Sequence, residues 1–302
     1  MLNAIIPVFL LIVIGYVLKR SSLFSQTFWN DTEKLAYYIL FPALLIDKMS
    51  VADLSKVDLG PLISALLIGL AVISLFMIII KPWLKTDNAS FTSIFQGTIR
   101  FNTYIGFGVV DSLFGSSGLV IAVIVAAILI PGINFITVIV LQYYNRTEKS
   151  SVLRTIILIL KNPLIVGCVI GISINVLDIH LPLFLQNTIH LVGSTLLPIG
   201  LMCVGAALMF KELKSAIKPI LQTSTFKFIL YPVIAFYLAE FFQLDPQTKY
   251  IAVIFASLPT ASAAYIMAKT MGGNHQLMAR LITFETLLSG LTLIATATLL
   301  GI

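Results

Sequence analysis

Long apolar stretches separated by short polar ones make up almost the whole chain. A helix that spans a membrane needs about 20 apolar residues, because each residue adds about 1.5 Å of length. On that basis the pattern predicts about ten spanning helices in an all-α membrane protein. Their predicted ranges are 2–18, 30–48, 61–81, 91–111, 117–142, 157–177, 184–209, 219–242, 248–269 and 277–300.

The clearest interruption of this pattern lies inside the fourth predicted helix, at Arg100-Phe-Asn-Thr-Tyr-Ile-Gly-Phe-Gly108. The stretch carries a charge, an amide, a hydroxyl, a phenol and two glycines. In hydrocarbon, backbone N–H and C=O groups need partners from the protein or from water. A polar break at membrane depth therefore indicates a ligand site. The alternative is a helix-packing face, where Gly, Thr and Asn are common.

Proline and glycine positions predict an internal repeat. Three pairs of residues share a separation of 156 positions: Pro7 with Pro163, Gly15 with Gly171, and Pro42 with Pro198. With only 12 prolines and 18 glycines in 302 residues, three matches at one offset are improbable. Each half would hold five helices, and an odd number of crossings turns the second half over in the membrane. The sequence therefore predicts two inverted five-helix repeats, an arrangement typical of secondary transporters.

The same offset places a second break opposite the first. Asn102 and Thr103 map onto Leu258 and Pro259, within Ser257-Leu-Pro-Thr-Ala-Ser-Ala-Ala-Tyr265. Proline removes a helix hydrogen bond and frees a carbonyl. Interrupted helices at corresponding positions of two halves are the best sequence indication of a transporter's binding site. The pairing therefore favours a substrate site over a packing face.

A small organic anion is the ligand that such breaks favour. The N-terminal ends of half-helices carry unpaired N–H groups and about half a positive charge each, which attracts anions without Lys or Arg. A cation on the freed carbonyls is the alternative. The candidate substrate-binding residues are Arg100, Asn102, Thr103, Tyr104, Gly106, Pro259, Thr260 and Ser262.

Two charges lie at similar predicted depth in the fourth and tenth helices, Arg100 and Glu285. A charge at that depth costs about 2.5–3.5 kcal/mol on insertion scales, so it lines a cavity or has a partner. One interpretation is an ion pair that holds the two helices together. The other makes Arg100 a counter-charge for a carboxylate, or Glu285 a proton carrier. Lys227 is also buried by its position, but it lies near the inner end of its predicted helix, from which its side chain can reach the interface.

Composition strengthens the membrane assignment. Of 302 residues, 59% are hydrophobic and 11% are charged, whereas soluble domains carry about a quarter charged residues. Lys and Arg, which give a net charge of +6, concentrate in alternate loops. Because cytoplasmic loops are enriched in these residues, the distribution predicts both termini outside and no nucleic-acid partner. The inner basic positions are Lys19, Arg20, Lys81, Lys85, Arg146, Lys149, Arg154, Lys161, Lys211, Lys214, Lys218 and Lys269.

Catalytic chemistry is not expected. An intramembrane enzyme would need a nucleophile with a base, or paired carboxylates, at matching depth. No Ser–His or Asp–Asp arrangement aligns along the predicted helices. Cys168 and Cys203 lie in separate apolar segments without a neighbouring His or Cys, so neither a metal site nor a redox pair is indicated. We therefore predict a multi-pass protein of the bacterial cytoplasmic membrane that is not an enzyme and has no cofactor.

Several motifs agree in order and spacing with one known family. They are Phe41-Pro-Ala-Leu-Leu45, Arg100-Phe-Asn-Thr103, Lys161-Asn-Pro-Leu-Ile165, Leu258-Pro-Thr-Ala261, Met267-Ala-Lys269 and Gly272-Gly273. Through them nearly the whole chain resembles the auxin efflux carrier family, which includes bacterial members described as malonate or malate permeases. The resemblance implies a carrier for a small organic anion such as a mono- or dicarboxylate, bound where helices 4 and 9 break and cross. Asn102 matches the family's crossover asparagine, and Pro259 matches its ninth-helix proline.

The resemblance also implies a division of the chain. Residues 1–60 would form scaffold helices 1 and 2, and residues 146–215 a linker with scaffold helices 6 and 7. Residues 61–145 and 216–302 would form a transport domain, helices 3–5 and 8–10, that moves like an elevator. The scaffold would make the contact in a homodimer. The chain departs from the family at Gly108-Val109, where relatives often have a proline, so the exact break point is left open.

Two other functions stay open at this point. A sodium-coupled symporter resembling the bile-acid symporters would share this architecture and would bind Na+ beside its substrate. A proton-coupled carrier or a uniporter would not need that ion. A membrane receptor or structural protein that transports nothing is the second alternative. The substrate, the direction of transport and the coupling ion do not follow from the sequence.

Overall fold

The structure is a computed structural model that describes residues 2–53, 57–145, 162–210 and 216–302. All regular elements in these ranges are helices. Six are long and apolar enough to cross a membrane: Leu2–Arg20, Leu59–Leu84, Asn88–Asn145, Leu183–Ala206, Ile217–Phe241 and His275–Leu299. Pro163–Val176 is a shorter apolar helix. The chain is therefore an α-helical membrane protein with several spans, as predicted. Helix occupies part of each of the ten predicted ranges, but ten separate spans remain a prediction.

The structure describes only some of the basic loop residues from which the orientation in the membrane is predicted. Lys56, which lies in a predicted outer loop, falls outside the described ranges. So do six of the inner basic residues: Arg146, Lys149, Arg154, Lys161, Lys211 and Lys214. Most of the short polar segment from Tyr143 to Ser151, which is predicted to be a cytoplasmic linker, also lies outside the described ranges. The placement of both termini outside therefore stays a prediction.

Among the first four helices, one junction is an irregular turn that precedes a proline. They are α1 (Leu2–Arg20), α2 (Gln26–Leu35), α3 (Phe41–Ser50) and α4 (Leu59–Leu84). One π-helical turn, Ala36–Leu40, joins α2 to α3, and in it the Phe41 N–H donates to the Ala36 carbonyl. Pro42 follows directly and has no N–H. It therefore cannot continue the α-helical ladder, and the widened turn accommodates it.

The fourth and fifth predicted helices are divided differently from the prediction. α5 (Asn88–Ile99) and α6 (Thr103–Asn145) are separated by residues 100–102, which are not helical. Within the range of α6, two helices meet at a kink in the predicted loop at 112–116, where Gly115 has the non-helical angles φ 64° and ψ −158°. Glycine has no Cβ, so it adopts this left-handed conformation at little cost. The break point that the family resemblance left open therefore lies at residues 100–102.

The second half begins at Pro163 and shows the same mixture of long and broken helices. Its helices are α7 (Pro163–Val176), α8 (Leu183–Ser194), α9 (Leu196–Ala206), α10 (Ile217–Thr225), α11 (Tyr231–Phe241), α12 (Pro246–Ala256), α13 (Ala263–Thr270) and α14 (His275–Leu299). A second π-helical turn, Phe226–Leu230, joins α10 to α11 and precedes Pro232. α12 and α13 are separated by residues 257–262.

Glycines bring two pairs of helices into close contact. α1 packs along α9, and α3 packs along α7. A Cβ on Gly15 would lie 2.0 Å from the Met202 carbonyl oxygen, and a Cβ on Gly171 would lie 3.1 Å from the Ile46 Cα. Within a membrane, small residues that let backbones approach closely are a main source of helix association. Each pair therefore depends on a glycine at its contact point.

α5 lies in the interior of the described chain. Residues 90–99 are all buried, and α4, α6, α10 and α14 pack around this helix. Its polar side chains therefore meet protein instead of lipid. They are Ser90, Thr92, Ser93, Gln96 and Thr98. The helix leads directly into the break at Arg100.

Candidate functional site

The two predicted breaks are in direct contact. The Asn102 N–H donates to the Pro259 carbonyl at 2.7 Å, which joins the segment after α5 to the segment after α12. Asn102 is 2% exposed. Its side-chain oxygen accepts from the Ile105 N–H at 3.2 Å and so caps the start of α6. We call residues 100–102 and 257–262 together the paired breaks.

Two buried charged side chains satisfy backbone groups that the breaks expose. The Lys227 ammonium donates to the Arg100 carbonyl at 2.6 Å, and the Glu285 carboxylate accepts from the Thr260 N–H at 2.9 Å. Both side chains are 0% exposed. A helix end buried without such partners would leave its backbone groups unsatisfied, at a cost of about 1–3 kcal/mol for each group. The paired breaks therefore depend on charges supplied from the turn before α11 and from α14.

Lys227 is buried, as its position in the predicted helix indicates, but its side chain does not take the route to the interface that sequence analysis left open. Lys227 lies in the π-helical turn Phe226–Leu230, and its side chain points inward to the first break. The sequence offered a signal, because a lysine within a spanning segment usually faces a cavity or a partner. Its partner, a main-chain carbonyl 127 residues away, had no sequence signal.

Arg100 and Glu285, which sequence analysis considered as one possible ion pair, have other hydrogen-bond partners among the described residues. Nη2 of Arg100 donates to the Asn134 side-chain oxygen at 2.8 Å and lies 3.1 Å from the Met267 sulfur. Arg100 follows α5 in an extended conformation, with φ −77° and ψ 151°. Its side chain therefore leaves the direction that a continuous helix would give it.

Several buried polar atoms around the paired breaks have no hydrogen-bond partner within the described ranges. They are Glu285 Oε1, Arg100 Nε and both side-chain amide atoms of Gln96. Glu285 Oε1 lies beside Gly97, 3.5 Å from where a Cβ would be, whereas Thr223 approaches α5 closely there, since the same Cβ would lie 2.7 Å from its Cγ2. Buried polar atoms without protein partners are usual where water, an ion or a ligand binds. Sequence analysis did not select Gln96.

The remaining candidate residues differ in their surroundings. Tyr104 packs on Phe41, with ring centroids 5.3 Å apart, and faces Gly200, where a Cβ would lie 2.3 Å from Tyr104 Cδ1. Gly106 faces the second break and the end of α12, since its Cβ would lie 2.6 Å from Leu258 Cδ1 and 3.3 Å from Phe255 Cζ. These contacts are those of helix packing.

Two hydroxyl residues border the second break. The Thr260 hydroxyl donates to the Gln96 carbonyl at 3.4 Å, and the Ser262 hydroxyl donates to Glu33 Oε1 at 3.2 Å. Glu33, in α2, is a second acidic residue that sequence analysis did not select. Thr103 is half-buried at the start of α6, and Tyr265 lies edge-on to His275 with ring centroids 5.7 Å apart.

A separate cavity of about 390 Å³ opens between α3, α8 and the part of α6 that follows Gly115. The Asp47 carboxylate lies 3.1 Å from His190 Nδ1 and 3.3 Å from the Lys48 ammonium at its edge. Asp53, Ser116 and Ser117 also line it.

Several apolar spans packed around contacting helix breaks define this protein, by class, as a membrane transporter. The profile of the membrane transport protein family matches residues 1–296. The chain belongs to this family, the auxin efflux carrier family, so the resemblance drawn from its motifs is confirmed. The family consists of membrane transporters and not of enzymes.

Two curated proteins illustrate the range of similar chains. An uncharacterized transporter of Methanocaldococcus jannaschii is 21% identical over 299 residues, which cover 93% of this chain and 91% of that protein. The lysosomal cholesterol signaling protein of Mus musculus is 25% identical over 252 residues. That match covers 76% of this chain but only 29% of the mouse protein.

Proposed function

We propose that this protein is a secondary carrier that moves a small organic anion, such as a mono- or dicarboxylate, across the cytoplasmic membrane. The observation that carries the proposal is the hydrogen bond between Asn102 and Pro259, which brings the two helix breaks together. The N-termini of α6 and α13 both lie at these breaks, and their partial positive charges favour an anion. Arg100 Nε, buried and without a described partner, adds a charged donor.

The inverted repeat is part of this proposal. Gly15 approaches Met202, and Ile46 is one of the three residues, with Leu45 and Met49, that Gly171 approaches; Met202 and Ile46 are themselves 156 positions apart, as the two glycines are. The contact of α1 with α9 is therefore repeated by the contact of α7 with α3. Both Pro42 and Pro198 also follow an irregular turn, at Ala36–Leu40 and at Thr195. A repeat of five helices on each side accounts for these matches.

The division into a scaffold and a transport domain also remains a proposal. The close packing of α1 with α9 and of α3 with α7 and α8 supports a scaffold of residues 1–60 and 146–215. The packing of α5 among α4, α6, α10 and α14 supports a transport domain of residues 61–145 and 216–302. We propose that this domain moves against the scaffold as an elevator and that two scaffolds form a homodimer. The cavity beside Asp47 and His190 lies between helices of the two groups.

Uptake by proteoliposomes tests the site. We expect labelled malonate or malate to enter vesicles that contain the wild-type protein. Asn102→Ala removes the cap of α6 at the paired breaks, so uptake should fall at least about tenfold. Asn88→Ala is the matched control, because Asn88 is exposed and bonds the Tyr144 carbonyl at the far end of α5. Equal, substantial uptake by the wild type and Asn102→Ala would show that Asn102 is not part of the substrate site. No uptake across a broad panel of anions would count against the carrier itself.

A receptor that transports nothing is the second candidate, because one similar protein is by name a signaling protein. A ligand that raises the thermal stability of the purified protein but never enters vesicles would favour it. Thermal shifts with malonate, malate and aromatic acids at several pH values, measured beside uptake, separate the two functions.

A further inference from the structure

The ammonium of Lys227 lies where a helix break exposes a main-chain oxygen. It donates to the Arg100 carbonyl at 2.6 Å and is 0% exposed. In transporters with broken helices, such carbonyls are the groups that coordinate a coupling cation. Here the position next to the Arg100 carbonyl is taken by a cation that belongs to the protein.

The charges around this ammonium complete the arrangement. The Glu285 carboxyl group lies beside α5, since a Cβ on Gly97 would lie 3.5 Å from its Oε1, and its Oε2 accepts from the Thr260 N–H of the second break. The Tyr231 ring centroid lies 5.4 Å from the ammonium, within the range of a cation–π contact. Arg100, the other cation here, is turned to Asn134. Lys227 at the first break and Glu285 at the second therefore place a basic and an acidic group at the two contacting breaks.

We propose that Lys227 is a built-in cation that replaces a coupling sodium ion at the paired breaks. The inference rests on the proposed transport function, since a coupling ion has a role only in a carrier. Transport would then not require Na+. Removing the ammonium would leave the Arg100 carbonyl and the Glu285 carboxylate facing an unfilled position that a small monovalent cation can occupy.

The variant Lys227→Met tests this with little change of shape. Methionine reproduces the lysine side chain nearly to its end but lacks the terminal ammonium, so the position of that charge becomes free. The thermal stability of purified protein is measured in sodium chloride and in choline chloride at equal concentration. We expect no sodium-specific difference for the wild type. For Lys227→Met we expect sodium to raise the melting temperature by about 3–6 °C relative to choline.

Two control variants separate this effect from general ones. In Lys81→Met the lost ammonium lies over the rings of Phe91 and Tyr144, at 5.5 and 4.8 Å, away from the paired breaks. Sodium should not stabilise that variant specifically. The double variant Lys227→Met/Glu285→Gln removes both buried charges, so it should fold without sodium and show no sodium-specific rise.

The outcomes that overturn the inference do not all depend on one variant. Sodium-specific stabilisation of the wild type contradicts it whether or not the variants fold. A folded Lys227→Met protein without a sodium-specific rise contradicts it, as does a rise of equal size in the double variant.

The proposed function has a separate readout. Thermal stability needs no substrate and no vesicles, so a failure of uptake counts against the carrier and leaves the sodium result standing. Sodium-dependent uptake by the wild type would instead support the carrier and contradict the built-in cation.

Discussion

At the scale of single residues, polar side chains decide where the helices around the paired breaks begin. Asp87 caps α5 by accepting from the Ser90 N–H at 2.9 Å, and Asp245 caps α12 by accepting from the Thr248 N–H at 3.1 Å. The first N–H groups of a helix have no partner inside the helix, so such caps satisfy groups that would otherwise need water. Both half-helices that lead into the paired breaks thus start at a fixed residue.

Replacing Asp87 by Ala should lower the free energy of unfolding by about 1 kcal/mol at neutral pH, because α5 loses its cap. Asp58→Ala is the matched control: Asp58 precedes α4 but makes no side-chain capping bond, so the change should stay within about 0.5 kcal/mol. Chemical denaturation of the purified proteins measures both. A larger loss for Asp58→Ala than for Asp87→Ala would contradict the assignment of the cap.

The effect of Asp87→Ala should also depend on pH. Asp87 precedes the membrane-spanning residues, and the Ser90 N–H holds the pKa of its carboxyl group below the ordinary value of 3.8. A lowered folded-state pKa means that the carboxylate contributes stability above the ordinary pKa and that this contribution is lost as pH falls through the folded-state value. The difference between the wild type and the variant should therefore be complete above about pH 5 and should shrink below pH 3.8. A difference that grows in acid would contradict this assignment.

At the scale of helices, glycine rather than charge brings neighbouring elements into contact. α1 and α9 meet at Gly15, and a matching contact joins α7 and α3 at Gly171. Apolar side chains alone do not hold helices together in lipid, since the surrounding chains are equally apolar. The distance between backbones then decides the strength of packing.

Gly15→Ala should destabilise the protein by about 1–3 kcal/mol, because the new Cβ would lie 2.0 Å from the Met202 carbonyl oxygen and would push α1 from α9. Gly60→Ala is the control, since its Cβ would meet nothing closer than 3.8 Å. The measurement is thermal stability in one detergent. If the two substitutions had equal effects, close backbone contact would not be what holds α1 to α9.

At the scale of the whole molecule, the distribution of Lys and Arg predicts the orientation of the chain in the membrane. The two cysteines, Cys168 and Cys203, are 6% and 8% exposed, so added cysteines can be labelled over a low background. Leu2→Cys and Ile302→Cys place a thiol at each terminus, and Lys85→Cys places one in the loop between α4 and α5.

A membrane-impermeant maleimide should label Leu2→Cys and Ile302→Cys in intact cells, because the Lys and Arg distribution predicts both termini outside. Lys85→Cys should react only after the cells are permeabilised. If Lys85→Cys reacted in intact cells and the two terminal cysteines reacted only after permeabilisation, both termini would be inside the cell. Labelling of only one terminus in intact cells would contradict the predicted even number of spans.

Hydropathy and the spacing of prolines were enough to predict the class of fold and the place of both breaks. The physical reason is local: a spanning helix needs a long apolar run, and a polar or proline-containing interruption of that run changes the backbone wherever it occurs. The contact of Asn102 with Pro259 agrees with the offset that paired these segments. The motifs around them also sufficed to assign the family.

Only the tertiary structure decided which charged groups meet. The sequence by itself left open whether Arg100 pairs with Glu285 or with substrate, whereas the folded chain brings Glu285 to Thr260 and Lys227 to the Arg100 carbonyl. The break itself caused the difference, because an extended residue at the end of α5 no longer points where helical periodicity would place it. Contacts between groups more than a hundred residues apart depend on how the helices pack, and no local pattern in the chain encodes that arrangement.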